Sequence, residues 1–476
     1  MVNIWINKNE KDFIQESLPN EKFYFFNLLS EKNKSNVKTD VEQLWRRFGA
    51  MNLSEINEDF LIIATSIFCA DKKITRKLST DNWTREIKLY IPVLEIEKWN
   101  FVKEQLEQTI GFLSGDKWRF EFRSTTFRFR ADKEVKNNIL TPDKYDSVSL
   151  FSGGLDSFCG ALSLSKSNNS TLFLGFKEYT LLTKRQKDLF DAIDNSNPRV
   201  ENELILFNVN PYAPTFSDEG MKKLAGESTS RSRSLLFIAG AVSVASIIGE
   251  DIPVYIPENG FIGVNVPLTD SRAGSCSTRT THPIFLNNLN EIFKQIGIKN
   301  SISNFYWNKT KGEILEEHRD NPIFNLKAKE TLSCSHPCLS RYDRKKSSLI
   351  DTPCNCGYCF PCLIRRASFI KIGVDETKYN HLYELGSKFI NDFNNLQGRA
   401  SDLKAVLFSI KRYIANRDDS DYIRALLLRQ GNLDKRELDG YERVYRESME
   451  ELINMIQQID NGLLDYTGIK GAEFSG

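Results

Sequence analysis

The chain has 476 residues, 40% hydrophobic and 27% charged, enough apolar material for two to four packed domains at about 100–200 residues each. That composition excludes wholesale disorder, collagen-like repeats and low-complexity architecture. Lys+Arg number 64 and Asp+Glu 63, a formal charge of +1, so the chain as a whole advertises neither nucleic acid nor an anionic membrane as a partner.

The opening stretch Met1 to Asn9 (MVNIWINKN) is short, polar-interrupted and strand-like, so no signal peptide is expected and the protein is expected to be cytoplasmic. Residues 1–140 mix strand and helix patterns and are expected to form an N-terminal α/β accessory domain. Lys88 to Val93 reads as a strand, and Glu97 to Phe112 has helical apolar spacing. Trp118 to Arg130 (WRFEFRSTTFRFR) alternates aromatic and mostly charged residues, as a strand with one buried face does. The rival reading makes those aromatics a stacking platform for single-stranded nucleic acid.

From Ser147 strands and helices alternate: strands at Ser147 to Phe151, Thr171 to Phe176, Glu203 to Val209, Pro253 to Ile256 and Ser303 to Trp307, with helices at Leu155 to Lys166, Leu182 to Asp194, Arg231 to Gly249 and His282 to Gly297. This is the pattern of βαβ units and a parallel sheet, whose ligands sit beyond the carboxyl ends of the strands. The longest apolar run, Leu235 to Gly249, is too short to span a bilayer and reads as a buried helix. After Gly373 the chain turns polar and helical, with amphipathic stretches at Leu403 to Asn416 and Asp434 to Ile459. These suit helices packed on the core, or a docking surface for a partner.

The first strand of the alternating region runs into Ser152-Gly153-Gly154-Leu155-Asp156-Ser157 and then a helix. Strand, glycine pair and helix start make an anion site. Glycines let the backbone approach an oxyanion, and the free N–H groups of the first helical turn point at it. Ser152 and Ser157 add hydroxyl donors. Asp156 would repel a bare phosphate, so it is expected either to cap the helix or to hold a bridging magnesium ion (Mg²⁺). No Gly-Lys-Ser/Thr follows, so this is not a Walker loop.

Nine cysteines are present, six of them between Cys334 and Cys362, a pattern that suits a metal site better than a disulfide framework. Cys356, Cys359 and Cys362 form C-x₂-C-x₂-C, and one more distant thiolate closes a tetrahedral zinc site. Cys334 is the expected fourth ligand, with Cys338 or Cys354 able to displace it and His336 a further candidate. A closed four-ligand site is structural. An iron–sulfur cluster and plain buried or reactive thiols are the alternatives.

SGGLDS resembles the PP-loop of the ATP pyrophosphatases, and SGGLDS together with CGxCxxC resembles the QueC (7-cyano-7-deazaguanine synthase) family over residues 145–370. Arg231-Ser232-Arg233-Ser234, Gly263-Val264-Asn265, Thr310-Lys311-Gly312-Glu313-Ile314, Ser333-Cys334 and Cys356 to Arg365 continue the family pattern. The resemblance implies an α/β fold. Its core is a parallel-sheet PP-loop (adenine nucleotide alpha hydrolase-like) unit with a four-cysteine zinc motif, flanked by the N-terminal α/β domain and by a C-terminal helical extension over residues 374–476. It implies that Ser152, Gly153, Gly154, Asp156 and Ser157 bind ATP, that Arg233 and Lys311 act with Asp156 in catalysis, and that Cys334, Cys356, Cys359 and Cys362 hold structural zinc (Zn²⁺). Polar residues after the fourth strand, Glu258, Asn265, Arg272, Arg279 and His282, are candidates for binding substrate, although such residues suit loop capping as well.

The loop between Cys334 and Cys356 is longer than is usual for the family and carries Arg341-Tyr342-Asp343-Arg344-Lys345-Lys346. The 257–261 and 277–283 segments depart from the housekeeping members. Together with the two added regions they resemble the QueC-like proteins of anti-phage operons, the QatC type. The implied function is ATP-dependent adenylation of a 7-carboxy-7-deazaguanine-type carboxylate and its transfer to an amine, ammonia or an amine of a partner protein from the same operon, a C–N ligase or nitrile-forming activity in antiviral defence. A PP-loop RNA-modifying enzyme and a non-catalytic zinc scaffold of a defence complex are the competing classes. No membrane partner is expected, and a nucleic-acid partner is disfavoured by the charge balance.

Overall fold

The computed structural model describes residues 1–12, 21–29, 31, 33–130, 139–218, 220–221, 224–227, 230–269, 279–338, 353–379, 385–386, 400–460 and 462–465. Twelve strands are present among them: β1 (Val2–Asn7), β2 (Phe23–Asn27), β3 (Val37–Thr39), β4 (Glu86–Val93), β5 (Lys117–Ser124), β6 (Ser147–Leu150), β7 (Thr171–Phe176), β8 (Glu203–Phe207), β9 (Val209–Pro211), β10 (Thr215–Phe216), β11 (Val254–Tyr255) and β12 (Ile302–Ser303). They build two five-stranded sheets and one two-stranded ribbon. The first sheet has the order β10-β2-β1-β4-β5, parallel except for β10. The second has the order β12-β11-β6-β7-β8 and is parallel throughout. Its strand order reverses between β6 and β11, which puts a crevice at their carboxyl ends.

β5 behaves as its alternation predicts: Trp118, Phe120 and Phe122 are buried, with neighbouring rings stacked at interplanar angles of 19° and 18°. Rings packed in a core cannot serve as a nucleic-acid platform. The strand stops at Ser124, short of the expected Arg130. Arg130 adopts φ 51°, and its guanidinium donates to the Leu28, Leu29 and Thr39 carbonyls. The expected helix over 97–112 is two helices, Ile96–Phe101 and Lys103–Ser114, because Val102 leaves helical geometry at φ −100°, ψ 6°. The fifth strand of the second sheet is shorter and earlier than expected. Asn304 ends it by accepting from the Tyr306 and Glu258 amides and donating to the Glu258 carbonyl.

The apolar run at 235–249 forms the buried helix Arg233–Ile248. It lies between the sheets, against the helix Glu55–Lys73 on one side and β6 and β7 on the other, which is why it is apolar all round. One hydrophobic cluster runs from Ile4 to Ile302 through both sheets. β9 and β10 come from the stretch assigned above to the 145–370 unit, yet they pair with β3 and β2, so the first two segments interleave. The helices Ser401–Ile414, Ser420–Leu428 and Lys435–Ile459 pack with Phe360–Lys371 around a second cluster. Among the described residues no helix is long and apolar enough to cross a membrane.

Candidate functional site

β6 delivers the chain into the crevice, and Ser152 to Ser157 turn there before the helix Leu155–Lys166 has completed its first turn. Gly153 has φ 79°, and a Cβ on it would press within 3.1 Å of Gln186 Cγ, so only glycine fits without displacement. Gly154 is the N-cap and has no side chain to satisfy the helix start. Hydroxyls do so instead. The Gly154 N–H donates to Ser152 Oγ (3.2 Å) and the Leu155 N–H to Ser333 Oγ (3.1 Å). The Ser152 and Ser157 hydroxyls lie 3.2 Å apart, and Ser157 Oγ donates to the Gly154 carbonyl at 3.0 Å. Neutral partners of this kind are worth about 1 kcal/mol each, and an anion taking the same N–H groups gains roughly twice that.

Asp156 points into the structure. Its Oδ2 lies 2.9 Å from Lys311 Nζ and accepts from Asn259 Nδ2 at 3.2 Å, and that amide also donates to Glu258 Oε1 at 3.0 Å. Asp156 Oδ1 is buried without an N–H donor among the described residues, and the Glu258 carboxyl lies within hydrogen-bond reach of Asp156. Burial works against charge on Asp156, but Lys311 and the surrounding donors prevail and hold its carboxyl below the usual range. Glu258 is driven well above its ordinary value by burial and then by the Asp156 charge, so it is the protonated member of the pair. Lys311 opens the helix Lys311–Glu317, whose start is held by a Thr310–Glu313 capping box.

Two cavities meet at this point, sharing Ser152, Ser157 and Glu258. One, of about 390 Å³, has apolar walls from Leu174, Phe176, Leu182 and Phe237, with Tyr179 and Arg233 at its polar side. The other, of about 550 Å³, is lined by Asp156, Lys311, Arg231, Asn265, Ser333 and His336. Arg233 is half-exposed and pairs with Glu178 at 3.0 Å. Of the other residues expected to bind substrate, Glu258 and Asn265 stand in this cleft, Asn265 at φ 46° closing the helix Gly260–Val264. Arg272 lies outside the described residues, as do 277–278 and the 341–346 run.

Arg279 and His282 are not in the cleft. Arg279 donates to the Phe112 carbonyl (2.6 Å) and Gln430 Oε1 (2.7 Å), tying three parts of the chain together. His282 is the buried N-cap of Pro283–Ile296, its Nδ1 accepting from the Ile284 N–H at 3.3 Å. Burial and then the Arg279 charge lower its pKa to about 3, so it is neutral. Thr280, between them, lines the smaller cavity, whereas Arg279 and His282 make their polar contacts at helix ends.

Sequence reasoning missed Asn259, Gln186 and Ser333. Asn259 carries a cap signature, and its Oδ1 does accept from Ile262 N–H at 3.1 Å, but nothing local shows that its amide bridges two acids. Gln186 Nε2 donates to the Phe151 carbonyl (3.2 Å) and the Ser152 carbonyl (3.4 Å), bracing the turn from the next helix.

The sulfurs of Cys334, Cys356, Cys359 and Cys362 all lie within 4.8 Å of one another, positioned to bind a metal ion. The Cys334–Cys359 and Cys356–Cys362 separations are both 3.9 Å, against about 3.8 Å for a tetrahedron with Zn–S bonds of about 2.3 Å. Gly357 at φ 85° makes the tight turn between them. Backbone N–H groups support the sulfurs, Cys356 donating to Cys334 Sγ and Cys359 to Cys356 Sγ, each at 3.3 Å. Cys338, Cys354 and the His336 ring are outside the group. The set is compatible with structural zinc. Buried Arg365, on the helix that follows, donates to Thr331 Oγ1 and the Ala328 carbonyl at 2.7 Å each, so the cysteine side is fastened to the strip 331–334 that walls both cavities.

No protein-family model matches the chain, and no curated protein matches it.

Proposed function

We propose that the chain is a QueC-like PP-loop enzyme that binds ATP at the Ser152–Ser157 turn and activates a 7-carboxy-7-deazaguanine-type carboxylate. In the first step a carboxylate oxygen attacks the α-phosphorus and pyrophosphate leaves. In the second an amine attacks the carbonyl carbon, AMP leaves with the C–O bond electrons, and an amide forms. The amine is ammonia or an amine of a partner protein, and the setting is anti-phage defence.

The observation that carries this reading is the turn itself, a glycine-built helix start at the strand-order reversal whose Gly154 and Leu155 N–H groups rest on exchangeable hydroxyls. The two joined cavities suit two substrates meeting at one point, which supplies proximity. Lys311 and Arg233 offset charge building on the phosphates. Asp156 lines the cleft beside the turn and would hold Mg²⁺, which would supply further charge neutralisation at the phosphates.

The test is pyrophosphate and AMP release from ATP–Mg²⁺ with 7-carboxy-7-deazaguanine. Release that depends on the carboxylate is expected, and Asp156→Asn should lower it by about 100-fold or more. No release, together with no heat on titrating ATP–Mg²⁺, would overturn the reading and favour the scaffold. Protection of tRNA from nuclease would favour RNA modification.

A further inference from the structure

Two of the cleft's cations, Arg233 and Lys311, are each the first residue of a helix. Each of those helix starts is fixed by a buried carboxylate from outside the second sheet and its own helices. Asp71, near the end of Glu55–Lys73, is 1% exposed. Its Oδ2 accepts from Ser230 Oγ (2.8 Å), Ser232 N–H (2.8 Å) and Ser232 Oγ (2.9 Å), while Oδ1 accepts from Arg85 at 2.5 Å. Ser232 is the N-cap of Arg233–Ile248 and makes no side-chain cap of its own, so Asp71 serves that helix start from another part of the chain. The preceding residues dock on the same end: Glu227 N–H donates to the Lys72 carbonyl at 2.9 Å, and Arg76 N–H to Glu227 Oε1 at 2.6 Å.

Glu451, in the C-terminal helix Lys435–Ile459, does the equivalent for the other cation. Its Oε1 accepts from Thr310 Oγ1 (2.5 Å) and Lys371 Nζ (2.8 Å). Thr310 is the N-cap directly before Lys311. A Cβ on Gly312 would collide with Glu451 Oε1, so the contact is built to measure from both sides. Arg443, on the same helix, donates to Glu313 Oε1 at 2.5 Å, the acid of that capping box.

We infer that Asp71 and Glu451 are positioning residues: they set where Arg233 and Lys311 stand relative to the Ser152–Ser157 turn, so the regions flanking the second sheet are built into the site. A displacement of about 1 Å at a reacting centre lowers rates by about 10²-fold, so a brace of this kind acts on turnover more than on binding. The inference rests on the proposed activity for its kinetic consequence, but the braces themselves have a separate readout.

The experiment uses the full chain with ATP–Mg²⁺ and 7-carboxy-7-deazaguanine. Two kinds of variant spare the buried partners: Ser230→Ala/Ser232→Ala, which leaves the Asp71–Arg85 pair, and Glu451→Asp beside Glu451→Gln. Glu451→Asp keeps the charge and loses reach; Glu451→Gln keeps the reach and an acceptor for Thr310. The serine pair and Glu451→Asp should lower kcat by about 10-fold or more with KM for ATP within about 3-fold, and Glu451→Gln should restore most of it. Hydrogen exchange at the amides of 232–236 (serine pair) and 311–315 (Glu451→Asp) should quicken by about 10-fold or more without global unfolding. Wild-type kcat in the serine pair and Glu451→Asp, or unchanged exchange at both helix starts, overturns the inference. A wild-type chain that releases no pyrophosphate defeats the proposed activity alone, and the exchange result then decides the braces.

Discussion

Both five-stranded sheets reverse their strand order, the first between β1 and β4 and the second between β6 and β11, and among the described residues they treat the reversal differently: the second holds an open cleft there. At the end of β1 the Lys8 and Asn9 N–H groups donate to Asp12 Oδ2 at 3.0 and 2.8 Å. At the end of β4 the Leu94 and Glu95 N–H groups donate to Asp59, as does Trp99 Nε1. The space between is filled by Lys8 and Glu58, a 3.0 Å ion pair with side chains 0% and 3% exposed, and Glu58 also accepts from Arg128 and from the Phe129 N–H. The first crevice is therefore closed by the chain's own carboxylates. In the second, the matching N–H groups rest on hydroxyls, which an incoming anion can displace. A reversal of strand order makes room for a ligand; whether a site results depends on what satisfies the exposed donors.

The largest effect that sharpens this contrast is expected on the open side, where the wall of the cleft hangs from the cysteine cluster. Cys362→Ser should lose the bound metal and the cooperative unfolding transition, because structural zinc contributes on the order of 10 kcal/mol to folding. Elemental analysis with thermal unfolding reads both, and a variant retaining one equivalent of metal would break the assignment. Next comes the closed side. Glu58→Ala strands the buried Lys8, leaves Arg128 with Glu55 alone as its carboxylate partner, and should cost about 3–5 kcal/mol by denaturant unfolding, with the rate of pyrophosphate release per folded molecule unchanged. A drop in that rate at full folding would mean that the first crevice is also functional.

The smallest effect concerns His282, an expected cleft residue that caps a helix instead. Between its ordinary 6.5 and about 3 the unfolded chain binds a proton that the folded chain does not, so stability falls as pH drops through that window. By pH 5 the loss is about 2 kcal/mol. Comparing wild type with His282→Asn, which keeps a capping side chain, isolates it, since His318, held to about 4 by burial, titrates in both. Parallel stability–pH curves for the two proteins would show that His282 is not buried neutral.

Local chemistry made much of this protein legible before its structure. The helix Leu155–Lys166 and strand β7 have the bounds that the glycine pair and the apolar run indicate, and the C-x₂-C-x₂-C turn brings three of the four sulfurs together by spacing alone. Those signals depend on neighbours within a few residues. Tertiary structure decided the rest: that Cys334 and not Cys338 or Cys354 completes the cluster, that Asn304 ends β12 early, that β9 and β10 cross to the first half of the chain, and that Arg279 and His282 make their contacts at helix ends. It also brought Asn259 to Asp156 and Glu451 to Thr310, residues 103 and 141 positions apart. Backbone preference and periodicity act over one or two turns of chain, whereas the meeting of distant side chains follows from how the sheets and helices pack.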